Sequence, residues 1–152
     1  GPGCEVDIAG LYLCSGSDSV ELDVILRHNY GGSTSTQQFL GVVGGESKAV
    51  FDGLVYVAPG AVKTKAHQEN RSILLESTAF VESRPQLEIY ADDVECSHGC
   101  TSGYLAPDEL FYMRSRGIPE GEALRLQKIA FLSPVLKRLP ESLAEEIYES
   151  IS

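Results

Sequence analysis

The sequence predicts a mainly β domain over residues 1–106, followed by a small α-helical region over residues 107–152. Two changes near Leu105 carry this division. Of the 15 glycines, 13 lie in the first segment, whereas four of the seven prolines, Pro107, Pro119, Pro134 and Pro140, lie beyond it. The hydrophobic pattern also switches, from short alternating or continuous apolar runs to a period near 3.6.

The strand-like runs are Val6-Ile8, Leu11-Leu13, Val20 to Leu26, Phe39 to Val43, Val50 to Val57, Ile73 to Leu75, Phe80-Val81 and Leu87 to Tyr90. Turn chemistry falls at Ser15 to Asp18, Gly31-Gly32, Gly44-Gly45, Asp52-Gly53 and Pro59-Gly60. A strand about every 10 to 13 residues admits a sandwich, a barrel or a solenoid. Several runs are triplets or pentads, too short for sandwich strands but long enough for stacked rungs, which favours the solenoid. Beyond Leu105, Pro107 suits a first helical turn and Gly117 a C-terminal cap. A second helix starts near Pro119 and Glu120 and lines up Ala123, Leu126, Ile129 and Ala130 on one face, with Pro134 ending or kinking it. A third helix carries the stripe Leu143, Ile147, Ile151 opposite Glu145, Glu146 and Glu149.

Composition narrows the function. With 152 residues the chain is long enough for one domain with its own core. A net charge of -10 argues against a nucleic-acid surface, which draws its affinity from Lys and Arg. No apolar run approaches the roughly 20 residues of a membrane span, and no secretory leader is present, so a cytoplasmic protein is expected. The chain opens Gly1-Pro2-Gly3-Cys4 without Met and alternation begins at once, which predicts a piece of a longer protein, engineered or proteolytic. There is no phosphate-cradling G-x-x-x-x-G-K-[ST] and no G-x-S-x-G elbow. Ser97 and His98 are sequence neighbours, so on a strand they face opposite ways and make no nucleophile–base pair.

One constellation offers chemistry. Asp92-Asp93-Val94-Glu95-Cys96-Ser97-His98-Gly99-Cys100 sets two thiols and an imidazole beside three carboxylates. On an extended segment Cys96, His98 and Cys100 share a face, and thiolate with imidazole suits iron, zinc or an iron–sulfur cluster. A closed structural zinc site wants a fourth ligand and a C-x-x-C pair, which is missing. The bland reading is a buried small Cys and a hydrogen-bonded His at a strand end. The other features read as structure. Cys4 and Cys14 are expected to stay reduced with the later cysteines. His28 and His67 read as surface or satisfied groups. The acids Glu82, Glu88, Asp92, Asp93 and Glu95 read as solvated and without well-placed basic partners, although a β-helix lyase would bind calcium with such a set.

The run Pro85-Gln86-Leu87-Glu88-Ile89-Tyr90-Ala91-Asp92-Asp93-Val94-Glu95-Cys96-Ser97-His98-Gly99, followed by Leu110-Phe111-Tyr112-Met113-Arg114-Ser115-Arg116-Gly117-Ile118, resembles the SufB/SufD family, on its SufD branch. Ile8 to Leu13, Phe51-Asp52-Gly53, Val55 to Pro59 and Gln68-Glu69-Asn70-Arg71 extend the resemblance over nearly the whole chain. The resemblance implies a right-handed parallel β-helix with terminal helices. It implies a cytoplasmic, non-enzymatic scaffold of iron–sulfur cluster assembly that pairs with a SufB-like subunit and binds a SufC-like ATPase. The family's N-terminal helices and early rungs are absent, which leaves one solenoid end uncapped and invites a homodimer in isolation.

By the same resemblance, His98 with its neighbour Cys96 would take part in iron acquisition. Iron or an iron–sulfur cluster would then be held transiently and shared with the SufB-like partner. Where SufB-type members carry a sulfur-accepting cysteine, this chain has Ile89, which accepts no sulfur. Cys100 departs from the family's usual His-Gly-Ala-Thr and is either a third ligand or a bystander. Phe111, Tyr112, Arg114 and Arg116 match the region that docks the ATPase. Movement of that ATPase would twist the interface around His98. For Phe111, packing inside the chain is the favoured expectation, and for the arginines partner contact and surface pairing stand level. The competing classes are a β-helix carbohydrate-active enzyme and a purely structural repeat module.

Overall fold

A computed structural model describes residues 1–151. Seven strands, each ten residues long, precede three helices: β1 (Glu5–Cys14), β2 (Ser19–His28), β3 (Thr34–Val43), β4 (Lys48–Val57), β5 (Lys65–Leu74), β6 (Phe80–Ile89), β7 (Glu95–Tyr104), α1 (Pro107–Ser115), α2 (Glu120–Leu136) and α3 (Glu141–Ser150). Odd strands form one parallel sheet in the order β1-β3-β5-β7, and even strands form a second in the order β2-β4-β6. The chain alternates between the sheets, so it is a parallel β-solenoid of about three turns with the helices at its C-terminal end.

Strands β1 to β6 are each longer than the apolar runs that mark them, and β7 is marked by no run at all. The runs underestimate the strands because the missing parts are polar: Thr34 to Gln38 in β3 and Lys65 to Asn70 in β5. Asp52-Gly53, read from sequence as a turn, lies inside β4. A Cβ at Gly53 would stand 2.5 Å from Gln68 Nε2, so glycine here makes room for a side chain from the facing sheet.

The rungs stack in strict register. On the inner face of the odd sheet this gives the columns Val6–Ser35–Ala66–Cys96, Ile8–Gln37–Gln68–His98 and Gly10–Phe39–Asn70–Cys100, then Tyr12–Gly41–Ser72–Ser102 and Cys14–Val43–Leu74–Tyr104. Rings lean over glycines within these columns. A Cβ at Gly10 would lie 2.5 Å from the Phe39 ring, and one at Gly41 would lie 1.9 Å from the Tyr12 ring. One corner of the solenoid also repeats: Gly3, Gly32, Lys63 and Asp93 all take positive φ, and backbone bonds run from Gly3 N to Gly31 O, Gly32 N to Val62 O and Lys63 N to Asp93 O. The backbone of the corner recurs from turn to turn even where a non-glycine residue must bear the left-handed strain.

The interior has two apolar ends and a polar middle. Tyr12, Cys14, Phe39, Val43, Ala49 and Phe51 fill one end, and Val55, Val57, Ala61 and Ala66 the other. Between them Tyr12 Oη reaches Asn70 Oδ1 at 3.0 Å and Ser72 Oγ at 3.1 Å, Asn70 donates to Ser83, and Gln68 Nε2 donates to Gln37 Oε1 at 3.3 Å. The outer face of the odd sheet is apolar toward the C-terminal ends of its strands. Leu40, Val42 and Ile73 pack there against Leu132, Val135, Leu136 and Ile151. A fully buried leucine contributes about 1.5–3 kcal/mol, so this seam is the main apolar anchor of α2 and of Ile151 on the solenoid.

The helical tail departs from the sequence reading in two ways. Pro134 lies inside α2 and does not end it; the helix runs two residues further, to Leu136, with Val135 and Leu136 anchored in the seam. Packing there offsets the lost backbone donor. The buried face of α2 is Ala123, Gln127, Leu132, Val135 and Leu136, while Leu126 and Ala130 of the expected stripe are exposed. In α3 the stripe is partly kept: Ile151 is buried and Ile147 half-buried, but Leu143 is exposed and Ala144 takes its place.

Two outcomes follow. Gly41→Ala is expected to cost about 1–3 kcal/mol in denaturant unfolding, because its Cβ overlaps the buried Tyr12 ring, and Tyr12→Ala in the same chain should remove most of that increment. His28 is buried and shares a 2.8 Å hydrogen bond with Ser35 Oγ; burial pushes its imidazole below the ordinary value, so the folded state favours the neutral ring. That contribution is present above the unfolded value of about 6.5 and is lost as pH falls. Unfolding midpoints measured at about pH 7 and about pH 5 should therefore drop more in the wild type than in His28→Gln.

Candidate metal centre

The site lies on β7, and the end of the solenoid produces it. In the turns before it each odd strand faces an even strand across the interior. β7 begins a further turn that has no even partner, because after Tyr104 the chain leaves for α1. Residues on its inner face therefore meet only strands of the preceding turns, chiefly β6, and no even strand of their own turn. Cys96 is half-buried on the cluster of Val55, Val57, Ala61 and Ala66, His98 is exposed, and Cys100 is half-buried. All three project from one face, as their two-residue spacing predicts.

Strand geometry limits what they do together. Alternate residues on a strand are about 6.6–6.8 Å apart, so Cys96 and Cys100 stand about 13 Å apart. With metal–sulfur distances of about 2.3 Å, one ion is within reach of His98 and one flanking cysteine, not of both cysteines. Among the described residues no His, Cys or carboxylate group including these three converges to one ligand sphere; the group that does is Glu21, Asp23 and Asp52 on the outer face of the even sheet. Sequence reading missed that trio because its members come from β2 and β4, with only lateral register joining them.

The thiols differ in character. Burial pushes the Cys96 thiol up, partly opposed by a backbone hydrogen bond at Ala66, and burial also raises Cys14. Both thus favour the protonated, unreactive form. All four cysteines are free. The donor set of β7, a thiol beside an imidazole on an accessible face, fits a borderline-soft ion such as iron or zinc.

The remaining residues singled out by sequence are dispersed. His67 stands on the outer face, 2.8 Å from Ser97 Oγ. Glu82 and Glu95 do have basic partners, contrary to expectation: Arg84 Nε lies 2.8 Å from Glu82 and Arg84 Nη1 3.1 Å from Asp52, and Lys65 Nζ lies 3.1 Å from Glu95. Parallel register sets Asp52 beside Arg84 and Lys65 beside Glu95, although each pair is distant along the chain. Ile89 ends β6 on its inner face and is 39% exposed.

Phe111 does not pack inside the chain; it is 75% exposed, and Tyr112 is 62% exposed. Helix α1 half-buries Leu110 and Met113 and buries no residue fully, and Glu109 accepts a hydrogen bond from Gln127 of α2, while Phe111 and Tyr112 are left exposed. Arg114 pairs with Glu120 at 3.4 Å, and Arg116 is exposed at the C-cap. All four residues are exposed, on a chain of net charge -10.

Alkylation by iodoacetamide, followed by peptide mass spectrometry, should label the exposed Cys4 first, the half-buried Cys96 more slowly and the buried Cys14 last. Equal rates at Cys4 and Cys14 would contradict the described interior.

The chain matches a family model described as SUF system FeS cluster assembly, SufBD core domain, over residues 1–131. It is 40% identical over 127 residues to the iron-sulfur cluster assembly protein SufD of Escherichia coli (strain K12), a match covering 83% of this chain and 30% of that protein. It is 39% identical over 100 residues to SufD of Bacillus subtilis (strain 168), covering 66% of this chain and 23% of that protein. It is 37% identical over 142 residues to Protein ABCI7, chloroplastic, of Arabidopsis thaliana, covering 92% of this chain and 30% of that protein. The matched region thus spans less than a third of each relative's length. With the solenoid and its open last rung, these matches identify the chain as a member of the SufBD core domain family of the SUF iron–sulfur cluster assembly system.

Proposed function

We propose that this chain is the SufD-like part of a scaffold subunit of a SUF assembly complex. It pairs with a SufB-like subunit, binds a SufC-like ATPase and assists iron acquisition and cluster formation without catalysing a reaction itself. The observation that carries this reading is the position of Cys96, His98 and Cys100 on the inner face of the last rung, which lacks an even strand of its own turn and leaves His98 exposed. A resident cofactor site is built closed. Here the donors are open to a second protein, as cargo shared between subunits requires.

His98 and Cys96 are the ligands this chain offers to iron or a nascent cluster. Cys100 is the alternative to Cys96 beside His98, since the two thiols are too far apart to serve one ion. A SufB-like partner completes the coordination. Ile89 offers no thiol, so sulfur enters from the partner's side. The last strands of both sheets, β6 and β7, have free edges, and Tyr90 and Tyr104 are exposed beside them. Such edges accept a partner chain, and in isolation they accept a second copy of this one. On the tail, Phe111, Tyr112, Arg114 and Arg116 form the surface for the ATPase, because exposed aromatic and arginine side chains are the typical anchors of an interface. The helical region, residues 107–152, is thus the docking unit and residues 1–106 the core. We place its action in the cytoplasm, and no described helix is long and apolar enough to cross a membrane.

The test is anaerobic cluster reconstitution on the full-length protein with its SufB-like and SufC-like partners, read by visible absorption and iron content. His98→Ala is expected to lose most of the cluster while the complex still assembles, with Cys96→Ser next in severity. Full cluster content in both variants would reduce this chain to architecture alone. Phe111→Ala with Arg114→Ala should weaken ATPase binding about tenfold or more without altering the melting temperature.

A further inference from the structure

Directly beneath His98 in its inner column lies Gln68, and beneath that Gln37. Both amides are completely buried. Their single mutual hydrogen bond gives the column a direction: Gln68 Nε2 donates down to Gln37 Oε1 at 3.3 Å, and Gln68 Oε1 is left without a partner among the described residues. At the other end of the pair Gln37 Nε2 is also unpartnered, above the apolar Ile8. A buried carbonyl without a donor costs about 1–3 kcal/mol. In a parallel, in-register stack each amide bonds to its neighbours one rung, about 4.8 Å, above and below. The place above Gln68 belongs to His98, whose ring makes no hydrogen bond among the described residues and is exposed.

We propose that Gln68 is a positioning residue for His98: its Oε1 accepts a hydrogen bond from one ring N–H of His98. The other ring nitrogen then faces outward with its lone pair free for a metal ion. Resting on the reading of His98 as a metal ligand, the proposal adds the partner that orients it. Metal-bound histidines as a rule donate their second N–H to an acceptor that fixes the tautomer and ring angle, and loss of that acceptor lowers affinity about 10–100-fold. Gln37 in turn holds the Gln68 amide by accepting from its Nε2, so the ladder delivers an acceptor, not a donor, to the last rung. A donor there would compete for the lone pair that the metal needs. Asn70 is ill placed for the same task, since its Oδ1 already accepts from Tyr12 and its Nδ2 donates to Ser83.

The experiment uses the full-length protein, with Co(II) as a spectroscopic stand-in for Fe(II). Co(II) is titrated into wild type, Gln68→Met, Gln68→Glu and His98→Ala. Melting temperatures are recorded for each, as are ring N–H signals of nitrogen-15-labelled histidine with and without Zn(II). Gln68→Met, of similar volume but without the acceptor, is expected to bind Co(II) about 10–100-fold more weakly and to lose a sheltered His98 ring N–H signal, while it still folds cooperatively with a melting temperature lowered by the Gln37 carbonyl it leaves unpaired. Gln68→Glu keeps an acceptor and should restore both. Wild-type affinity in Gln68→Met, or a His98 signal indifferent to residue 68, overturns the proposal. Should Gln68→Met fold poorly, Gln68→Glu decides: a retained ring N–H signal supports the bond and its loss overturns it. If wild type and His98→Ala bind Co(II) alike, the metal reading fails. The metal-free ring N–H signal then judges the hydrogen bond alone, supported if it depends on residue 68 and overturned if it does not.

Discussion

Lateral parallel pairing at a fixed register is the constraint on which the rest of this structure depends. Each strand meets the strand two elements later, residue for residue over ten pairs, from Glu5 with Thr34 through Leu74 with Tyr104. Columns of like position follow, and so does every consequence of stacking. Bulk is traded between rungs, with the Tyr12 ring over Gly41 and the Phe39 ring over Gly10. The corner at Gly3, Gly32, Lys63 and Asp93 repeats its backbone even when the residue type changes. Ion pairs such as Lys65 with Glu95 arise because neighbours in a column are chain-distant and space-adjacent.

The same constraint explains why a polar group of uncommon depth exists here. Gln37, Gln68, Asn70 and Ser72 are buried on the inner face, between two apolar clusters. Burying an amide without partners is expensive, and stacking offers each amide a partner one rung away. A ladder of this kind is satisfied only while it continues. It ends at the last rung, where the facing sheet has already stopped, so the unspent acceptor of Gln68 and the unopposed His98 occur together for one topological reason. The thiols and imidazole on the inner face of β7 are thus half-buried or exposed because the even sheet ends one strand earlier than the odd sheet.

The helical tail is governed by a different surface. The outer face of the odd sheet carries Leu40, Val42 and Ile73 where the other outer positions are charged or polar, and α2 with Ile151 covers it. This seam selects which face of α2 is buried and overrides both the local stripe and Pro134. Helix α1 lies outside the seam, held by Leu110 and Met113, and so leaves Phe111 and Tyr112 to solvent. The two rings thus serve no internal packing.

Sequence by itself determined the β-to-α division near Leu105, the turns at four of five glycine-bearing sites, the helix starts at Pro107 and Glu120, and the common face of Cys96, His98 and Cys100. These depend on local rules: backbone preferences of Gly and Pro, and side-chain period. It underestimated the strands, because half of β3 and β5 is polar and alternation of polar residues carries no hydrophobic signal. Tertiary structure alone decided which residues stand next to each other across turns: Gln68 beneath His98, Arg84 between Glu82 and Asp52, and the open face of β7. It also decided that the two thiols flanking His98 cannot meet at one ion. Contacts between positions about 30 residues apart are set by the length of a solenoid turn, and no local pattern in the chain records where the facing sheet ends.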